Sequence, residues 1–258
     1  MKANRGILAV VAAASFVVLA GLAQAQQAAA APKKSPKKPA RARKGPMAPI
    51  KDVDGLPRAL LIGDSISIGY TLNTRKLLAG KVNLHRIPTN GGPTSRGLAS
   101  LDDWLGKDKW DVIHFNWGLH DLKYMGSKGE NLANPKVPTS KQQIPPDQYA
   151  KNMRGLVVLL QKTGAKLVWT TTTPVPAGAK GRVQGDSARY NAIALKIMTD
   201  NGVAVDDLYA LALGQLSKIQ QPKNVHFTAE GSRILARQVA NSILKALGKP
   251  SLDVKKQK

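Results

Sequence analysis

The sequence predicts an α/β protein: a parallel sheet of about five strands with helices over both faces. Two observations carry this. The segments that read as strands are short continuous apolar runs instead of alternating ones, which suits strands buried on both sides. Strand and helix signals also alternate from Leu56 onward, with glycines where the helices should stop. In order, 59–62 reads as a strand and 65–79 as a helix closed by Gly80. A second strand follows at 82–87, then a helix at 94–105 with Gly106 behind it, and a third strand at 110–117. Met153, Leu156, Val157 and Leu160 repeat at helical spacing within 147–162, ahead of a β-branched fourth strand at 166–172. A helix at 186–201, a short fifth strand at 203–205, a helical stretch from Leu208 and a last helix at 228–247 complete the pattern. No internal repeat divides it, so residues 55–248 are expected to form one domain. The long proline-bearing insertion at 122–146 leaves the third strand at the sheet's carboxyl edge and is expected to line a ligand site.

The flanks are of a different kind. Lys2 and Arg5 precede an apolar run at 7–22, and Ala23 and Ala25 supply the small residues a signal peptidase reads, so 1–25 is expected to be a cleaved signal peptide. This places the mature protein outside the cytoplasm, secreted or periplasmic, with no membrane span. Residues 26–54 form an Ala/Pro/Lys-rich linker whose 26–49 stretch has seven cations and no acid, expected to stay extended and able to contact an anionic envelope polymer. A short basic tail covers 249–258. The whole chain has 39 Lys+Arg against 16 Asp+Glu, a net charge of +23. Behind a signal peptide this excess does not point to nucleic acid. The absence of cysteine excludes disulfides and a lipoprotein anchor.

Four stretches arrive at the same edge of the predicted sheet. Gly63-Asp64-Ser65 ends the first strand, Asn90-Gly91-Gly92-Pro93-Thr94 follows the second, Gly118-Leu119-His120-Asp121 follows the third, and Asn224-Val225-His226-Phe227-Thr228 opens the last helix. A serine at a strand-to-helix turn has its hydroxyl lifted above the sheet edge, with helix N–H groups aimed at the same spot. The same turn would also be explained if Asp64 or Ser65 merely capped the helix. No grouping of His and carboxylates has metal-ligand spacing, and neither a phosphate loop nor a dinucleotide fingerprint is present, so no metal or cofactor is expected.

Over roughly 56–247 these blocks, in this order, resemble the SGNH, or GDSL, hydrolase superfamily. The resemblance implies a three-layer α/β/α, flavodoxin-like fold and a serine hydrolase with Ser65 as nucleophile and His226 as base. It also implies an oxyanion hole built from the N–H groups of Ser65 and Gly92 and a side chain of the third block. Asp64 and Asp121 would be supporting residues. Two positions depart from the family pattern. His120 stands where the family has asparagine, and an imidazole N–H can also donate to an oxyanion; Asp121 could orient it if the turn allows. Lys223 stands three residues before the histidine, where the family has an acid, so another group must orient His226. The candidates are Asn224, a backbone carbonyl at 221–223, and Asp206 or Asp207, with the carbonyl favoured. Trp117, directly before Gly118, is a candidate for stacking on a sugar ring.

The expected function is therefore an exported serine esterase that removes acetyl or other short acyl esters from a carbohydrate. A lipid esterase or lysophospholipase of the same fold is the enzymatic alternative, and a catalytically silent glycan-binding or envelope protein is the alternative from another class.

Overall fold

The computed structural model describes residues 45–252. The expected signal peptide, most of the linker and the end of the tail lie outside the described residues. The elements in order are β1 (Arg58–Ile62), α1 (Ser65–Leu77), β2 (Asn83–Arg86), α2 (Thr94–Leu105) and β3 (Val112–Phe115). They continue with β4 (Tyr124–Met125), β5 (Lys141–Gln142), α3 (Pro146–Gln161), β6 (Lys166–Thr170) and α4 (Asp186–Asp200). The chain ends with β7 (Ala204–Asp206), α5 (Leu208–Leu213), α6 (Leu216–Ile219) and α7 (Ala229–Ala246).

Five strands form one parallel sheet in the order β2-β1-β3-β6-β7. This is the doubly wound order whose reversal falls between the first strand and its inner neighbour, and open α/β sheets bind ligands at that switch point. Here the switch lies between β1 and β3, with Ala59 beside Val112 and Ile62 beside Phe115. The continuous apolar runs behave as expected: Ala59–Ile62 and Val112–Phe115 are buried throughout.

Helix α1 packs against α7 on one face; α2, α3 and α4 pack in succession on the other. The inner stripe of α7 is Leu235, Ala236, Val239, Ala240, Ile243 and Leu244, at helical spacing. The facing side of α1 is polar but self-satisfied. Ser67, Thr71 and Thr74 are buried, and their hydroxyls donate to the carbonyls of Asp64, Ser67 and Tyr70 in the turn before.

The folded unit starts before residue 55. Asn83 brackets Val53 with two backbone hydrogen bonds, and Asp52 accepts from Arg58 while contacting His85. The contacts to Asn83 and His85 span 30 and 33 residues and leave no local pattern to read. The 122–146 insertion contains the antiparallel β4–β5 pair, and Tyr124 N–H to Gly181 and Tyr190 O–H to Ile144 tie it to the loop and helix after β6.

Candidate active site

Asp64 caps α1, its carboxylate accepting from Ile66 N–H at 2.9 Å. The capping role and the position expected for a nucleophile belong to neighbouring residues: Asp64 caps, and Ser65 is the first helical residue. Its N–H has no acceptor among the described residues, as expected for an orphan donor at a helix start.

Beneath the turn lies Arg86, buried at the end of β2. Its Nη2 donates to the Gly63 carbonyl at 2.9 Å, the Asp64 carbonyl at 3.1 Å and Ser67 Oγ at 2.7 Å, while Nη1 donates to Ile87 and Thr89. Burial pushes its pKa down to about 10 despite nearby Tyr70 and Asp64. One guanidinium thus joins the serine turn to the strand end that leads into the glycine block. Sequence reasoning missed it, although an arginine closing a strand beside the Gly-Asp-Ser strand was a visible signal.

At the other end of the chain, the segment before α7 folds back on itself. Gln220 pairs with Phe227, Gln221 N–H donates to the His226 carbonyl, and Thr228 N–H donates to that of Ile219. The tip is a turn closed by Asn224 N–H to the Gln221 carbonyl, with Pro222 second and Lys223 third at φ 55°. That is the type II pattern, which needs positive φ at its third residue. Val225 and Phe227 are buried, and His226 between them faces outward.

The result is a hydrogen-bonded relay. His226 Nε2 lies 2.8 Å from Ser65 Oγ, and His226 Nδ1 lies 2.7 Å from Asn224 Oδ1. Asn224 Nδ2 donates to Gln221 Oε1 at 3.0 Å, which turns the amide oxygen toward the imidazole. With Nδ1–H donating to that oxygen, Nε2 keeps its lone pair and can accept the serine proton. The third position is therefore filled by a neutral side chain, not by the backbone carbonyl favoured from sequence. Asp206 and Asp207 are not brought to His226. Asp206 is buried against His114, Gln238 and Ser242. Asp207 caps α5 and accepts from Thr171.

The other expected site residues divide. Gly92 has φ 62°, and its N–H, expected to face an oxyanion, donates to Asn90 Oδ1 at 2.9 Å. This is the local bond an asparagine two residues earlier tends to make. His120 is half-buried and neither ring nitrogen has a hydrogen-bond partner among the described residues. Burial lowers its pKa; Asp64 opposes this, and Lys123, Arg182 and Arg96 add to it. The ring is thus kept neutral, with one N–H to donate. Asp121 does not orient His120. It is fully buried and accepts from Thr94 N–H at 2.9 Å and Thr94 Oγ–H at 2.5 Å, tying the third block to the start of α2. Trp117 cannot meet a sugar, because it is buried beneath α2. A Cβ at Gly97 would stand 2.8 Å from its ring, so the helix lies directly on the indole.

Residues 61–234, more than half of the chain, match the GDSL-like lipase/acylhydrolase family, and the protein belongs to it. It is a GDSL-type serine hydrolase, an enzyme acting on ester bonds. No curated protein matches it in sequence. Among solved structures it is similar to a lipase/acylhydrolase from Enterococcus faecalis, at 17% identity and TM-score 0.62, over 77% of this chain and 100% of that one. It is also similar to the acetyl xylan esterase AlAXEase, at 18% identity and TM-score 0.58, over 72% and 99%. A third is the acetylxylan esterase Axe2 from Geobacillus stearothermophilus, at 17% and 0.59, over 77% and 97%. At these identities the likeness is one of fold.

Proposed function

We propose that this hydrolase is exported and removes acetyl or other short acyl groups from a carbohydrate. In this reading Ser65 is the nucleophile, His226 the base and Asn224 the residue that orients it. The observation that carries it is the Ser65–His226–Asn224 relay at the switch point of the sheet. Ser65 Oγ attacks the ester carbonyl carbon as its proton passes to His226 Nε2. The oxyanion is met by Ser65 N–H, by the neutral His120 and by Gly92 N–H, which must be shared with Asn90. The C–O bond to the sugar breaks, the sugar oxygen takes the proton from His226, and a water activated by His226 then releases the acid from acyl-Ser65. Acetylated xylan, named in two of the structural neighbours, is the model for such a carbohydrate.

The purified protein should hydrolyse an aryl acetate and deacetylate acetyl-xylo-oligosaccharides, with Ser65→Ala and His226→Ala inactive but folded. Turnover confined to long-chain or lysophospholipid esters would replace the carbohydrate by a lipid. Equal rates for the wild type and Ser65→Ala would leave a binding protein. Export is tested by sequencing the protein recovered outside the cytoplasm: an amino terminus at Gln26 supports the proposed cleavage, and an intact Met1 refutes it.

A further inference from the structure

Three cations that the catalytic reading does not use stand around His120. Lys123, just beyond the third block, is only 9% exposed, yet among the described residues its ammonium has no hydrogen-bond or ion-pair partner. Arg182 comes from the loop after β6. Its Nε donates to the Leu119 carbonyl at 3.1 Å, beside His120, leaving both Nη groups without a partner among the described residues. The Tyr124 N–H to Gly181 bond clamps the two segments together, so Lys123 and Arg182 sit on adjoining strands of chain. Arg96, on α2, is exposed to solvent at the rim of this group. Its Cδ lies 2.9 Å from where a Cβ of Gly92 would stand, and among the described residues its guanidinium donates only to Thr89 Oγ1.

All three act on His120, and Arg182 acts on Lys123. Burial lowers the pKa of Lys123, Arg182 lowers it further, and Asp121 opposes both. Two carboxylates lie within electrostatic reach, Asp64 favouring the charge on Arg182 and Asp121 that on Lys123, but neither makes an ion pair with these cations among the described residues. The contrast with Arg86 is informative, because that buried guanidinium is surrounded by carbonyl and hydroxyl oxygens and is plainly structural. Lys123 and Arg182 are partly desolvated like charges with no ion-pair partner among the described residues, an unfavourable arrangement that an incoming anion relieves.

We infer that Lys123, Arg182 and Arg96 form an anion subsite, and that the natural substrate carries a carboxylate close to the ester that is cleaved. This rests on the esterase reading for the word substrate, but not for the binding itself. A planar carboxylate fits the guanidinium fork, with the ammonium as a second point charge. A uronate in an acidic polysaccharide and a dicarboxylic half-ester both supply that chemistry.

The binding arm uses the Ser65→Ala protein and calorimetry at fixed ionic strength. Tetragalacturonate should bind at least about tenfold more tightly than xylotetraose. Lys123→Met and Arg182→Gln should each remove most of that difference, whereas Lys151→Gln, an exposed charge on α3, should leave it. Lys123→Met should also melt no lower than the parent, since it removes an unpaired charge; a clear fall would make Lys123 structural and overturn its role. The turnover arm compares kcat/KM for acetylated oligogalacturonate with its methyl-esterified form, and for an aryl hemisuccinate with the aryl acetate. A preference in the first pair assigns a uronate, and one in the second an anionic acyl group. Equal affinities in the binding arm refute the subsite even if every ester is cleaved. Failure to cleave any ester refutes the esterase reading and leaves the binding arm to judge the subsite.

Discussion

Replacing Asn224 by alanine removes the single oxygen, Oδ1, that lies 2.7 Å from His226 Nδ1 and 3.1 Å from the His226 backbone nitrogen, while leaving Ser65 and the imidazole in place. The bond to Nδ1 matters most when the ring carries the serine proton, because it is then made to a charged donor. Such bonds contribute about 1.5–3 kcal/mol, and each 1.36 kcal/mol is about tenfold in rate. The expected loss in kcat/KM is therefore roughly 10- to 200-fold. In acid-containing triads, exchange of the carboxylate for its amide costs about 10⁴, largely by upsetting the tautomer. Here the amide is native, and Gln221 already fixes which way it faces. Asn224→Asp should move the acid limb of the pH–rate profile upward, since a carboxylate beside the ring favours its protonated form. Steady-state kinetics on an aryl acetate across pH would measure both effects. Asn224→Ala within about twofold of wild type, or a folded Asp206→Ala or Asp207→Ala without activity, would refute the assignment of Asn224.

Three further outcomes follow from the same geometry. Burial pushes the Asp121 carboxyl up from the usual carboxylate range to about 7, so it holds its proton more tightly when folded; its contribution to stability should fall as pH rises from about 4 to 7. Asp121→Asn keeps an acceptor for Thr94 and should gain on the wild type over that range, so parallel melting curves would show that this carboxyl does not titrate there. Arg86→Lys cannot span the acceptors under the serine turn and should lose about 2–4 kcal/mol in denaturant unfolding. Its kcat should fall while KM holds; a KM effect alone would refute a positioning role. Gly97→Ala should destabilise by about 1–3 kcal/mol despite alanine's helix preference, because its Cβ meets Trp117; a gain in melting temperature would show that α2 moves freely off the indole.

What could be read from the sequence was whatever is written locally. The five strands and their helices follow from apolar runs and glycine stops, and Ser65 and His226 from short blocks at predicted strand and helix ends. What could not be read depends on partners distant in the chain. Asp206 looked available until His114, 92 residues earlier, occupied it. Trp117 looked like a sugar platform because burial under α2 depends on a glycine twenty residues away. The acid looked simply lost, yet the turn puts Lys223 at its left-handed tip and Asn224 one step nearer the histidine. Lys123 and Arg182, 59 residues apart, read as ordinary surface charge until the loops carrying them are joined.

The contact between Ser65 and His226 joins residues 161 positions apart. At roughly 5–20 residues per second, the serine is made about 8–30 s before the histidine. During that interval the nascent chain has the serine turn and lacks the proposed base. On the proposed roles of Ser65 and His226, a truncation anywhere before His226 yields an inert product, however well the earlier strands pair. On the proposed roles, ester hydrolysis reports that the start of α1 has met the segment leading into α7.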